Sequence, residues 1–156
     1  GDGDGFAIGL NHSMQAARRN VDIAYVMMTN HLYGLTKGQT SPVSPKGFVT
    51  GTTPYGSTHE GFNQPLMMMA AGAGFVGQGL TSRPQQLREL IKEGMSYRGF
   101  AYINVFSPCN TYNKLHTYKW FEENLTEPNH NPSSLAESMA AVVEKQGLLT
   151  GVLYKR

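Results

Sequence analysis

Two short apolar runs, "VDIAYVMM" (Val21 to Met28) and "FAYINVF" (Phe100 to Phe106), do most to limit the folds open to this chain. Both are rich in β-branched and aromatic residues. The first is bounded by Asn20 and Thr29-Asn30, the second by Gly99 and Ser107-Pro108. Runs of this length and composition between turn-forming residues read as buried strands. "GFVGQG" (Gly74 to Gly79) gives a weaker third strand. Helical stripes lie before, between and after them: Leu10, Met14 and Ala17; Leu87, Leu90, Ile91 and Met95; Leu135, Met139, Val142 and Val143. Ser82 to Gln85, with Pro84 in the first turn, and Ser134 to Glu137 fit capping boxes, and Gly147 ends the last helix before a tail. Strands separated by helices predict an α/β fold, a mostly parallel sheet flanked by helices in one domain.

The segment from Thr36 to about Pro65 has little periodicity and many Gly, Pro, Ser and Thr residues. A loop of this length is unusual inside a compact domain and is more often functional or disordered. The "LMMMAA" run, Tyr102, Tyr112, Tyr118 and Trp120 read as packing. Composition removes several function classes. With 13 Lys+Arg against 11 Asp+Glu and no basic run, nothing points to nucleic acid or an acidic membrane surface. The longest apolar stretch, "PLMMMAAGAGFV", falls short of the ~20 residues of a membrane span. One cysteine, Cys109, excludes an internal disulfide and fits a reducing cytoplasm. The five histidines form no HExxH or Cys/His zinc spacing, and no nucleophile elbow is present.

The chain opens on "GDGDG". A calcium loop counted from Asp2 fails, because Phe6 stands at its fifth position and Ser13 at its twelfth. A dinucleotide fingerprint fails for want of the later glycine. A magnesium–diphosphate site fits. Mg²⁺ takes about six oxygens, shared between one or two protein groups, water and phosphate. Asp2 offers a carboxylate, Asn30 at the end of the first strand an amide oxygen, and Leu32 a backbone carbonyl. Gly1, Gly3 and Gly5 let backbone N–H groups approach phosphate, and a helix from about Phe6 directs its positive end the same way. In parallel sheets a ligand sits at the carboxyl ends of strands. No strand precedes Gly1 here, so the sequence reads as a chain lacking its N-terminal part.

Gly-Asp-Gly followed some thirty positions later by an Asn resembles the thiamine-diphosphate-binding motif. The stretches "GDGDGFAIGLNHSMQAARRNVDI", "YGLTKGQTSP", "GFAYINVFSPCNTYNK" and "TYKWF" together resemble the β subunit of the 2-oxoacid:ferredoxin oxidoreductases, nearest to the bacterial two-subunit 2-oxoglutarate type. Thr29-Asn30-His31 stands where that family has Asn-Asn or Asp-Asn, and Asn30 itself is kept.

The resemblance implies a thiamine-diphosphate-binding fold in which Asp2, Asn30 and the Leu32 carbonyl hold Mg²⁺, with Gly3, Asp4, Gly5 and Thr36 at the diphosphate. It puts Leu35 and Lys37 over the thiazolium end, where the lysine meets a substrate carboxylate. Taken alone, a loop lysine is an ordinary solvated charge. A lone cysteine, likewise, is usually a small buried group, but the resemblance makes Cys109 one thiolate of a [4Fe–4S] cluster whose other three ligands lie N-terminal to Gly1. His12 is expected on the first helix near the turn, and His31 beside the site. The implied reaction is oxidative decarboxylation of a 2-oxoacid, 2-oxoglutarate before pyruvate, to CO₂ and an acyl-coenzyme A, with electrons passing to ferredoxin. An α subunit would supply the carboxylate that activates the cofactor ring. The alternatives are a cluster-free thiamine-diphosphate enzyme acting on 2-oxoacids and a non-catalytic fragment that binds at most Mg²⁺ and a diphosphate.

Overall fold

The computed structural model describes residues 1–156. In chain order the elements are α1 (Asp2–Gly5), α2 (Leu10–Arg18), β1 (Ile23–Thr29), α3 (Gln64–Ala71), β2 (Phe75–Leu80), α4 (Pro84–Ser96), β3 (Phe100–Phe106), α5 (Tyr118–Asn124), α6 (Leu135–Glu144) and β4 (Gly151–Lys155). The strands form one sheet in the order β1-β3-β2-β4. β3 pairs in parallel with β1 and with β2, and β4 runs antiparallel to β2. The fold is therefore α/β with a mostly parallel sheet, as the alternation of apolar runs and helical stripes predicts.

β3 lies between two partners and every one of its residues is buried. Phe100 and Tyr102 join Ala17 of α2, Met68 and Met69 of α3 and Val142 of α6 in the main core, so these three helices cover one face. Ala101, Ile103 and Val105 point the other way and meet Phe75 and Leu90, with Leu87 and Ile91 of α4 packed alongside. The methionine run is core, as expected, and it forms α3, a helix that the sequence pattern does not announce. Asn63 caps it by accepting from the Leu66 N–H, and Gly72 ends it in the left-handed region.

Four expectations need correction. β1 is not buried on both faces: Val21, Ile23, Val26 and Met28 are exposed, and only Met27 and Thr29 of the strand are buried. It is an edge strand hydrogen-bonded to β3 alone, and its apolar composition reflects a face that this chain leaves uncovered. The Ser82 capping box does not form. Ser82 donates to Glu122 of α5, and Arg83 pairs with the same carboxylate at 2.6 Å, so both residues are drawn away from the start of α4. Ser134 does cap α6, yet Glu137 accepts from the Asn131 N–H and not from Ser134. The tail is the strand β4, short and ending in charge, which left little apolar pattern to read.

A chain of buried amides and a hydroxyl crosses the sheet toward its carboxyl ends. Thr29 of β1 bonds Asn104 of β3 at 2.5 Å and Gln64 of α3 at 3.1 Å. Asn104 donates to Gln78 of β2 at 2.8 Å, and Gln78 donates to the carbonyls of Gly147 and Leu149 at 2.7 and 2.9 Å. Each bond satisfies a group that would otherwise be buried without a partner. Replacing Gln78 by Leu keeps the volume but strands the Asn104 amide and two carbonyls. We expect a loss of stability of about 1–3 kcal/mol for each group left unpaired, read as a lower urea midpoint with an unchanged slope.

Candidate functional site

The opening turn is a single turn of helix. The N–H groups of Asp4 and Gly5 donate to the Gly1 carbonyl at 3.2 and 2.9 Å, and that of Phe6 to the Asp2 carbonyl at 3.1 Å. The helical start is thus Asp2, not Phe6. Phe6 itself is buried against Tyr102, and α2 begins only at Leu10. Gly3 and Gly5 serve close packing: a Cβ on Gly3 would fall 2.4 Å from the Tyr33 ring, and one on Gly5 2.2 Å from the Met27 methyl. Tyr33 also donates its hydroxyl to the Gly3 carbonyl at 2.8 Å. The Gly5 N–H is turned into the helix, whereas the Gly3 N–H has no acceptor within the chain. Asp4 is exposed, and His12 is exposed on α2.

Asp2 is 2% exposed. Its Oδ1 accepts from the Asn30 N–H at 3.2 Å and its Oδ2 from the Ser41 hydroxyl at 3.2 Å. Burial pushes its carboxyl above the usual range, and those two bonds only partly oppose the rise. No Lys or Arg side chain pairs with it. Both hydrogen-bond donors are neutral, and the Gly1 amino group is the weakest of the influences that oppose the rise; a carboxylate placed in this way could take a divalent cation. Asp2 and Asn30, 28 positions apart in sequence, are brought together as expected. The Asn30 Oδ1 accepts from the Leu32 N–H at 3.1 Å, which curls the turn so that Asn30 and Leu32 share one bend. Leu32 is buried and no donor in the chain reaches its carbonyl.

Beyond this bend the backbone closes a tight turn, with the Tyr33 N–H donating to Gln39 and the Gly38 N–H to Tyr33 at 2.9 and 2.8 Å. Leu35, Thr36 and Lys37 sit at its tip, all exposed, with Leu35 fully so. Lys37 has a φ of 74°, a conformation uncommon for a residue with a side chain. The rest of the irregular segment is ordered by its own bonds. Ser44 donates to the His31 carbonyl at 2.6 Å and accepts from the Ser41 N–H at 2.8 Å, which holds Ser41 on Asp2. Sequence reasoning missed Ser41 and Ser44. The only hint was the turn-forming character of "TSPVS".

Cys109 is half-buried on the loop after β3. Burial alone would raise its thiol, but the N–H groups of Tyr112, Thr111 and Asn113 together with the Lys114 charge outweigh it and hold the thiol below its ordinary value. No group of three or more His, Cys, Asp or Glu side chains that could hold a metal forms in the chain, and Cys109 is a free thiol. A cavity of about 530 Å³ opens nearby. Gln78 and Asn104 line it, as do His31, His116 and Trp120. His31 and His116 meet Nδ1 to Nδ1 at 2.9 Å, and His116 stacks on Trp120. Burial, with His116 adding to it, lowers His31 to about 3, and burial lowers His116 as well. Neither Asp2, Leu35, Lys37 nor Cys109 lines this cavity.

Residues 1–105 match the family described as thiamine pyrophosphate enzyme, C-terminal TPP binding domain. This chain belongs to the thiamine pyrophosphate enzymes. Residues 109–156 match the family described as the C-terminal part of the pyruvate ferredoxin oxidoreductase β subunit, which places the chain with the β subunits of the 2-oxoacid:ferredoxin oxidoreductases. It is 44% identical over 112 residues to the 2-oxoglutarate synthase subunit KorB of Methanothermobacter thermautotrophicus, covering 72% of this chain and 39% of that protein. It is 40% identical over 125 residues to the 2-oxoacid:ferredoxin oxidoreductase 2 subunit beta of Aeropyrum pernix, covering 80% and 40%. A solved 2-oxoglutarate:ferredoxin oxidoreductase from Magnetococcus marinus, with 2-oxoglutarate, coenzyme A and succinyl-CoA bound, superposes with a TM-score of 0.95 at 42% identity, over 99% of this chain and 54% of that one. The chain thus spans about two-fifths of the length of these curated relatives.

A buried carboxylate with no basic side chain beside it works against the stability of the fold. With divalent ions removed at neutral pH, we expect Asp2→Asn to melt at the same temperature as the unchanged protein or higher. Asp2→Ala, which also strands the Asn30 N–H, should melt lower. Thermal unfolding followed by circular dichroism, with and without Mg²⁺, checks both.

Proposed function

We propose that this chain is the diphosphate-holding part of the β subunit of a 2-oxoacid:ferredoxin oxidoreductase acting on 2-oxoglutarate. The observation that carries the reading is the buried Asp2 carboxylate, bonded to the Asn30 turn and paired with no Lys or Arg side chain. Asp2, the Asn30 amide oxygen and the Leu32 carbonyl would hold Mg²⁺, a set of hard oxygen donors suited to an ion that also takes phosphate oxygens. Gly3, with its free N–H, and Asp4, Gly5 and Thr36 border the diphosphate. When bound, thiamine diphosphate supplies the electron sink that decarboxylation of a 2-oxoacid requires.

The remaining roles belong to side chains at the surface of this chain. Leu35 and Lys37 are presented at the tip of the turn toward the reacting end, in a position to be covered by another subunit. Lys37 would bind a carboxylate of the dianionic substrate by a charge-assisted hydrogen bond. Cys109 would contribute one of the four thiolates that a [4Fe–4S] cluster needs, the other three coming from outside this chain. Such a cluster supplies the one-electron path to ferredoxin. The partners of this reading are an α subunit, ferredoxin, a 2-oxoacid and coenzyme A. No helix is long and apolar enough to cross a membrane, and we place the reaction in the cytoplasm.

The test is turnover of several 2-oxoacids by the full-length subunit together with its α partner, followed by reduction of ferredoxin or a redox dye. We expect coenzyme A-dependent reduction with 2-oxoglutarate and its loss in Asp2→Asn. Iron–sulfur absorbance in the same preparation separates this reading from a cluster-free enzyme. Lys37→Ala should lower kcat/KM for 2-oxoglutarate about 10-fold to 100-fold, the size of one hydrogen bond to a charged group, and lower it far less for pyruvate. Equal losses for the two substrates would remove Lys37 from the carboxylate.

A further inference from the structure

The loop that carries Cys109 also reaches the metal-donor turn, through a residue with no role so far. Asn113 is 1% exposed although it sits in a polar loop. Its Nδ2 donates to the Asn30 carbonyl at 3.0 Å. Its Oδ1 accepts from the N–H groups of Leu115 and His116 at 3.1 and 2.9 Å, and its own N–H donates to the Cys109 carbonyl at 3.2 Å. Both ends of the amide are therefore engaged, one inside its own loop and one on a backbone 83 positions away.

The contact falls where it matters for geometry. The two peptide groups that flank the Asn30 Cα are each held, the Thr29–Asn30 one at its N–H by Asp2 and the Asn30–His31 one at its carbonyl by Asn113. Holding both groups restricts how the Asn30 side chain and the Leu32 carbonyl can be set relative to the Asp2 carboxylate. Two further contacts run between the same two segments: His116 meets His31, and Tyr112 lies so close to Gly38 that a Cβ there would fall 2.9 Å from the Tyr112 Cβ. Both of these link side chains or pack them, whereas Asn113 grips the backbone of the donor turn itself.

We propose that Asn113 is a positioning residue for the metal–diphosphate site, setting the Asn30–Leu32 turn from the Cys109 loop. This rests on the reading of Asp2, Asn30 and Leu32 as the metal donors. Asn113→Asp keeps the acceptor for Leu115 and His116 but places an oxygen against the Asn30 carbonyl, so it breaks the bridge and leaves the loop turn. Asn113→Ala removes both.

The experiment is calorimetric titration of thiamine diphosphate into the full-length subunit with its α partner, at a series of Mg²⁺ concentrations and at a temperature where circular dichroism shows every variant folded. The expected result is a tenfold or greater rise in the thiamine diphosphate Kd for both variants at low Mg²⁺, largely restored at high Mg²⁺. A merely structural Asn113 would lower the melting temperature and leave the Kd of the folded protein unchanged, and that outcome overturns the proposal. So does a loss of affinity that Mg²⁺ does not restore. If the unsubstituted protein shows no Mg²⁺-dependent binding, the donor assignment itself falls. If Asn113→Asp does not fold, the same titration on Asn113→Ala decides.

Discussion

The hydrogen bond from the Asn30 N–H to the buried Asp2 carboxylate joins the first helical turn to the end of β1, and the site is built around it. It sets a carboxyl group in the interior with neutral hydrogen-bond partners. Burial of the charged form is unfavourable, and the surrounding contacts keep the group from relaxing. Ser41 holds the second oxygen, Ser44 holds Ser41, and Tyr33 seats the turn through Gly3. The glycines are there because rings and a thioether pack against the turn more closely than any Cβ allows. A Gly-Asp-Gly opening is thus as much a packing requirement as an electrostatic one.

The sheet gives this contact a rigid base. β3, buried on both faces, fixes the register of β1 from Ile23 opposite Phe100 to Thr29 opposite Phe106. The Thr29–Asn104–Gln78 bonds then tie the ends of three strands to the α6–β4 connection. The Asn30 turn emerges from the β1 edge of the sheet, where only β3 supports the strand, so it takes its second support from loops. Asn113 and the Ser41–Ser44 segment provide that support, and both lie in stretches without regular secondary structure.

The sequence made some of this legible and hid the rest for physical reasons. β3 reads directly from "FAYINVF" because a strand buried on both faces needs an unbroken apolar run. β1 carries nearly the same run and reads as the same kind of strand, but composition does not say whether an apolar face is covered within one chain. That Asp2 and Asn30 meet follows from the parallel topology; the contact itself is made by the Asn30 backbone N–H, which no side-chain chemistry announces. Ser41, Ser44 and Asn113 were not legible, because a buried polar residue in a loop has no period, and its value lies in a partner far away in sequence. Ser82 fitted a capping box and failed it because its side chain is turned to Glu122, 40 positions on, and away from the first turn of α4.

The free edge of β1 has a physical consequence for the polypeptide taken alone. Along the seven residues of β1, alternate ones direct unpaired backbone donors and acceptors outward, and the exposed side chains around them include Ile23, Val26 and Met28. Such a border is a template for adding another strand, whatever molecule supplies it. No proline interrupts it, and no lysine lies within it to discourage illegitimate pairing. Handled in isolation, the polypeptide therefore carries a self-association hazard along that one margin, and its colloidal behaviour should depend on whether some other stretch of protein is already docked there.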